Sequence, residues 1–166
     1  MFRPLQISNQ TPGAIFLHSM PGRYEDLPNV FAEIQERQIK LIVSLTPLAE
    51  IQKKSPTYAK AIEANALPCE RKLFPIPDFQ IPTDAQAFPK FVEEVADHVR
   101  SGDRILIHCA GGIGRTGTFA VCLLKALGLQ LNDAMKYVST GGSGPETTLQ
   151  ERFVAEFLPS STTPVI

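Results

Sequence analysis

Two stretches of the chain are apolar at consecutive positions: residues 40–45 (KLIVSL) and 104–108 (RILIH). Unbroken apolar runs of this length suit strands of a parallel sheet that is covered on both faces. Residues 14–17 (AIFL) and 71–74 (RKLF) carry the same pattern more weakly. Between these runs the apolar spacing changes to the helical period. Leu27, Val30, Phe31 and Ile34 follow Asp26, a residue suited to an N-cap. Phe88, Phe91, Val92, Val95 and Val99 form a second stripe that Gly102 stops, and Pro89 inside it blurs where the helix begins. Residues 115–127 are apolar nearly all round, which predicts a helix in the middle of the fold. Leu149, Phe153, Val154 and Phe157 mark a last helix, expected to open at Pro145 after Gly144, with residues 160–166 read as a frayed tail. Strands alternating with helices predict an α/β fold: a central, mostly parallel twisted sheet flanked by helices, in a single domain over 1–159.

Proline breaks this alternation in one place. Five of the 14 prolines (68, 75, 77, 82 and 89) fall in one short segment, which reads as a stiff exposed loop between a strand and a helix. No repeat, charge block or linker divides the rest. The length of 166 residues and 43% hydrophobic content are those of one globular unit. A formal charge of −1 gives no reason to expect a nucleic-acid or membrane partner. Three cysteines cannot make a disulfide framework, no apolar run approaches a membrane span, and residues 1–20 lack a secretory pattern. A cytoplasmic monomer is the expectation.

The chemistry concentrates in His108-Cys109-Ala110-Gly111-Gly112-Ile113-Gly114-Arg115-Thr116-Gly117, which leaves a predicted buried strand and enters a predicted buried helix. Three glycines in four positions let successive N–H groups turn inward as an anion nest, and the helix N-terminus adds its partial positive charge. Cys109 would then lie beneath a bound oxyanion and Arg115 would close the cup with two parallel donors. The same positive surroundings favour a thiolate over a thiol. From the chain's own composition, His-Cys-x5-Arg-[Ser/Thr] would arise by chance about 3 times in 10,000 such chains. The plain alternative is a glycine-rich turn holding an inert cysteine.

This run resembles the active-site loop of the cysteine-dependent protein tyrosine phosphatase superfamily, and its glycine content is similar to that of the small dual-specificity members, including the kinase-associated phosphatases. Three further segments carry the resemblance: residues 19–23 (SMPGR), residues 75–82 (PIPDFQIP), similar to the general-acid loop, and residues 145–153 (PETTLQERF), similar to a glutamine-bearing segment. The resemblance implies a phosphatase-like fold and a metal-free, cofactor-free hydrolysis of phosphate monoesters. In it Cys109 is the nucleophile that forms a phosphocysteine. Arg115 and the N–H groups of residues 110–115 hold the phosphoryl oxygens, and Asp78 is the general acid and then base. Thr116 would hydrogen-bond the sulfur, Gln150 would position the water, and buried His108 would support the loop. Phosphate-like oxyanions such as vanadate are the expected inhibitors.

Each partner has a plainer reading. Asp78 could be a turn residue with Asp84 as its rival, although Asp84 stands where a helix should start and suits a cap. Gln150 could be solvated, Thr116 could bond the local backbone, and Arg23 could reach the site's rim or make a surface ion pair. Cys122 reads as core, while Cys69 could pair with Cys109 on oxidation, as in some relatives. His18 and His98 have no evident partner and read as structural or solvent-facing. No lysine lies among residues 110–114, which favours a substrate with one phosphate, such as a phosphoprotein. Phe79 and Ile113 are the expected rim residues. The competing readings are an inositol-phosphate or RNA 5′-phosphatase, a silent phosphate-binding module, and a sulfurtransferase, which the Cys-x5-Arg-Thr-Gly run fits poorly.

Overall fold

The computed structural model describes residues 1–7 and 11–160, so the expected tail beyond Ser160 lies outside the described residues. In chain order the elements are β1 (Arg3–Pro4), β2 (Ala14–His18), α1 (Leu27–Glu36), β3 (Ile39–Ser44), α2 (Leu48–Lys54), α3 (Pro56–Glu63), β4 (Glu70–Leu73), α4 (Ala87–Arg100), β5 (Arg104–His108), α5 (Gly114–Ala126), α6 (Leu131–Thr140) and α7 (Thr148–Glu156). The sheet order is β1-β2-β5-β3-β4, and every pairing is parallel except β1 with β2. The mostly parallel sheet expected from the apolar runs is present.

The continuous runs serve two cores. Ile15, Leu17, Leu41, Val43, Ile105 and Ile107 point to one face, where they pack with α4 and α5. Phe16, Ile42 and Leu106, the residues between, point to the other and pack with Val30 and Ile34 of α1. Helix α5 is buried along almost its whole length. Its neighbours are α4, α6 and α7. A third, smaller cluster joins Ile51 of α2 and Tyr58 of α3 to Met20 and Ala110, and so packs α2 and α3 against the glycine-rich loop.

Several boundaries differ from expectation. Helix α7 opens at Thr148, not at Pro145, because Thr147 supplies a true cap: its Oγ1 accepts from Gln150 N at 3.1 Å. Asp26 stands at the N-cap of α1 but its side chain makes no capping bond. Pro89 falls in the first turn of α4, where an N–H has no helical partner to lose. Asp84 Oδ1 accepts from Gln86 N (3.1 Å) and Ala87 N (2.9 Å), the capping role expected of it. Helices α2, α3 and α6 were not foreseen: α2 is only seven residues long, but Tyr58, Ala61 and Ile62 of α3 and Leu131, Ala134, Met135 and Val138 of α6 do follow the helical period. Phe153 and Phe157 dock α7 through ring contacts with Phe88 of α4 at 5.3 and 5.7 Å, and Lys125 Nζ donates to the terminal carbonyls of Val154 (2.8 Å) and Phe157 (2.6 Å).

Candidate active site

Strand β5 is central, and its neighbours β2 and β3 end level with it: His18 and Ser44 both pair with His108. The chain leaving its carboxyl end therefore opens at the crevice where an α/β sheet places ligands. In the loop from Cys109 to Ile113 the carbonyls of Cys109, Ala110, Gly112 and Ile113 are turned outward and bonded. Cys109 O is 3.1 Å from His108 Nδ1, Ala110 O accepts from Met20 N (3.2 Å), and Ile113 O accepts from Gly117 N (2.7 Å) and Gly144 N (3.3 Å). Gly112 O accepts from Ser143 Oγ (2.6 Å) and Arg3 Nη2 (2.5 Å). Each peptide is planar, so carbonyls facing out turn their N–H partners in. Gly112 N points at Cys109 Sγ, 3.2 Å away. Gly112 adopts φ +74°, and a Cβ there would run into the backbone of His18.

The cup so formed holds about 200 Å³ and is lined by Cys109, Ala110, Gly111, Ile113, Gly114 and Arg115 from the loop, with Asp78 and Phe79, Arg23, Lys54 and Glu146 around it. The hydrogen-bonded turn at residues 20–23 delivers Arg23 to this rim. Phe79 and Ile113 are the exposed rim residues expected, at 56% and 45% exposure.

Arg115 is 2% exposed, and a buried guanidinium needs partners. Nη1 donates to Glu50 Oε2 (2.8 Å) and Ile76 O (3.0 Å), and Nη2 donates to Glu50 Oε1 (2.9 Å). This two-pronged pair takes the end of the fork, and Asp78 Oδ1 lies 3.0 Å from Nη2 as an ion-pair contact outside hydrogen-bond geometry. The bonds from Arg115 hold Glu50 well below the usual carboxylate range, down to about 2, and Lys54 Nζ adds a contact at 2.7 Å. Sequence reasoning missed Glu50 and Lys54. Their i,i+4 spacing was visible, but what they face was not.

Asp78 is set between two anchors. Phe74 N and Ile76 N extend the pairing onto the carbonyls of Ser44, at the end of β3, and Leu45 just beyond it, at 3.0 Å each, and Gln80 O accepts from Gln150 Nε2 at 3.0 Å. Gln150 is fully buried, not solvated, and its Oε1 accepts from Glu146 N at 2.8 Å, so both ends of its amide are engaged away from Cys109. Thr116 Oγ1 is buried and makes neither expected bond, to sulfur or to backbone. Thr118 instead bonds back to Gly114 O (2.8 Å). Neither Thr116 nor Gln150 lines the cup.

His108 is fully buried, and burial pushes it down to about 3, so its ring is neutral. Nδ1 donates to Cys109 O, and Nε2 accepts from Tyr58 Oη at 3.1 Å. Tyr58 was not foreseen. His98 proves to have a hydrogen-bond partner, its Nδ1 lying 2.7 Å from Asp103 Oδ2, while His18 Nε2 lies 2.6 Å from Glu25 Oε1 as an ion-pair contact without hydrogen-bond geometry. The pairing of Cys69 with Cys109, considered only as one option on oxidation, does not fit the sheet. Cys69 precedes β4 beside the second core, level with the start of β3, while Cys109 lies past its end. That is about 16 Å of strand, against a Cα separation of about 7 Å at most for a disulfide. Cys122 is core, as expected, and burial raises its thiol pKa.

Together the sheet order and the Cys109–Arg115 cup define the dual-specificity class of the cysteine-dependent protein tyrosine phosphatase superfamily. Residues 6–154 match the family described as PTP-SAK, the Swiss Army Knife protein DSP-PTPase phosphatase domain, and the chain belongs to that family. It is 44% identical over 48 residues to tyrosine-protein phosphatase non-receptor type 61F of Drosophila melanogaster, a match covering 27% of this chain and only 9% of that protein. Among solved structures, kinase associated phosphatase, with its catalytic-site cysteine replaced by serine, superposes with TM-score 0.80 at 21% identity, over 95% of this chain and 93% of that one. The active form of Tk-PTP superposes with TM-score 0.67 at 25% identity, covering 92% and 100%. The fold is shared also by PTPMT1 in complex with PI(5)P, with TM-score 0.68, 13% identity and 89% and 90% coverage. No described helix is long and apolar enough to cross a membrane.

Proposed function

We propose that this phosphatase hydrolyses phosphate monoesters on proteins, phosphotyrosine first and phosphoserine or phosphothreonine also, through a phosphocysteine intermediate. The observation that carries the reading is the placing of Cys109 Sγ, inward N–H groups and the guanidinium of Arg115 around one small cup. In the first step Cys109 sulfur attacks phosphorus in line, the S–P bond forms and the ester P–O bond breaks. Asp78 gives its proton to the leaving oxygen. In the second step a water attacks phosphorus and gives a proton back to Asp78, the S–P bond breaks, and inorganic phosphate and the thiolate are released. Charge growing on the equatorial oxygens is met by the loop N–H groups and the guanidinium of Arg115, which Glu50 holds in place.

The choice of a protein substrate rests on the absence of a cation among loop residues 110–114; on the rim Asp78 and Glu146 stand against Arg23 and Lys54, so no unopposed cationic cluster meets the further phosphates of a polyphosphorylated inositol. Exposed Phe79 and Ile113 offer apolar surface to an aromatic ring. The test is phosphate release from phosphotyrosine, phosphothreonine and inositol-phosphate substrates, with vanadate as competitor and EDTA as control. Cys109→Ser should abolish turnover and retain oxyanion binding. Turnover near the wild-type level in that variant ends the mechanism, and preference for the inositol phosphate ends the assignment of a protein substrate.

A further inference from the structure

The phosphate cup is held from behind by a side chain that lies outside every motif of the sequence. Arg3, on the short antiparallel strand β1, reaches across to the loop, and its Nη2 donates to Gly112 O at 2.5 Å. Its Nη1 donates to Gly142 O at 2.5 Å and Gly141 O at 3.1 Å, just past the end of α6. One guanidinium thus ties the loop to a turn 29 residues further along the chain. Ser143 Oγ completes the bonding of Gly112 O. Burial lowers the pKa of Arg3, and the charge of Cys109 works in the opposite direction, so the two groups are within electrostatic reach of each other.

We infer that Arg3 is a positioning residue for the reaction: by fixing and polarising the Gly112–Ile113 peptide from outside, it sets the Ile113 N–H as a donor to the phosphoryl oxygens. The peptide is a rigid plane, so anchoring its carbonyl anchors the N–H on its other side. A charged donor on the carbonyl also pulls electron density through the amide and makes that N–H a stronger donor. Gly112, at φ +74°, has no side chain to hold its orientation and depends on such bonds.

The inference rests on the phosphatase reading, and the experiment separates the two. Hydrolysis of a small aryl phosphate, vanadate inhibition and thermal melting are measured for the wild type, Arg3→Met, Arg3→Lys and Ser143→Ala. Losing one oxyanion donor costs about 100-fold or more, and a donor merely misaligned should cost about tenfold. Arg3→Met is therefore expected to lower kcat and weaken vanadate about tenfold, with a smaller change in KM, since the donor matters most as charge builds. Arg3→Lys keeps the charge and one donor and should recover part of that loss. Ser143→Ala should change the same parameters in the same direction, more weakly, and stands in if Arg3→Met does not fold. Variants that melt lower but keep wild-type kcat and vanadate affinity overturn the inference and leave Arg3 a structural tie. A wild-type protein that neither hydrolyses the ester nor binds vanadate overturns the phosphatase reading itself, and the inference with it.

Discussion

Asp78 Oδ1 lies 3.0 Å from Arg115 Nη2, the same nitrogen that donates to Glu50 Oε1, as an ion-pair contact outside hydrogen-bond geometry. The proposed general acid thus rests against the group proposed to hold the phosphate. A phosphoryl dianion entering the cup would compete for the same guanidinium and displace the carboxylate toward the ester oxygen. There the carboxyl form of Asp78 has a hydrogen bond to make.

Asp78→Asn should therefore have two opposite effects. Turnover should fall by a factor of about 100 to 1,000 with loss of the proton donor, and the basic limb of the pH–rate profile should flatten. Vanadate should bind a few times more tightly, because the competing charge has left Arg115. Steady-state kinetics over a pH series checks both. A comparable loss in Asp84→Asn would move the acid role there, though Asp84 is engaged in capping α4.

Glu50→Gln should loosen the fork without removing Arg115, lowering kcat/KM by roughly tenfold to 100-fold. It should also cost stability. The Glu50 carboxyl titrates at about 2 when folded against 4.5 ordinarily, so the unfolded chain holds the extra proton between those values. The pair's contribution, on the order of 3 kcal/mol, is complete above pH 4.5 and is lost as pH falls toward 2. Urea midpoints at pH 7 and pH 3 should show a large difference between variant and wild type at pH 7 that shrinks to less than half at pH 3.

His108 adds an acid-sensitive term at higher pH. Buried and neutral, it titrates near 3, well below its ordinary 6.5, so the unfolded chain takes up a proton first. Stability should drop by about 1.4 kcal/mol per pH unit from this group as pH falls from 6.5 toward 3. Burial also lowers the pKa of His18, which works in the same direction. His108→Gln should reduce, not abolish, the slope of stability against pH between 6.5 and 4.5, as read by chemical denaturation.

Gly112→Ala should leave the protein folded but catalytically crippled. The new Cβ meets the backbone of His18 in a conformation that L-residues avoid, so the loop must shift. A loss of more than about 100-fold in kcat/KM, with vanadate affinity falling in parallel, is expected. Unchanged kinetics would mean that the inward N–H arrangement is dispensable.

Much of this molecule was written locally. The apolar runs at 40–45 and 104–108 suit a doubly covered sheet, and the glycines between a buried strand and a buried helix suit an anion cup. What tertiary structure alone decided is which distant side chains face that cup or brace it. Glu50 and Lys54 belong to a helix too weakly patterned to read, Tyr58 meets His108 across 50 residues, and Arg3 reaches Gly112 across 109. Thr147 took the start of the last helix from Pro145, and the sheet separated Cys69 from Cys109 by its own length. The physical reason is range. Backbone preference and burial period act over a few residues and leave their mark in sequence, whereas a salt bridge to a buried arginine depends on the order in which strands are laid side by side, which no local spacing records.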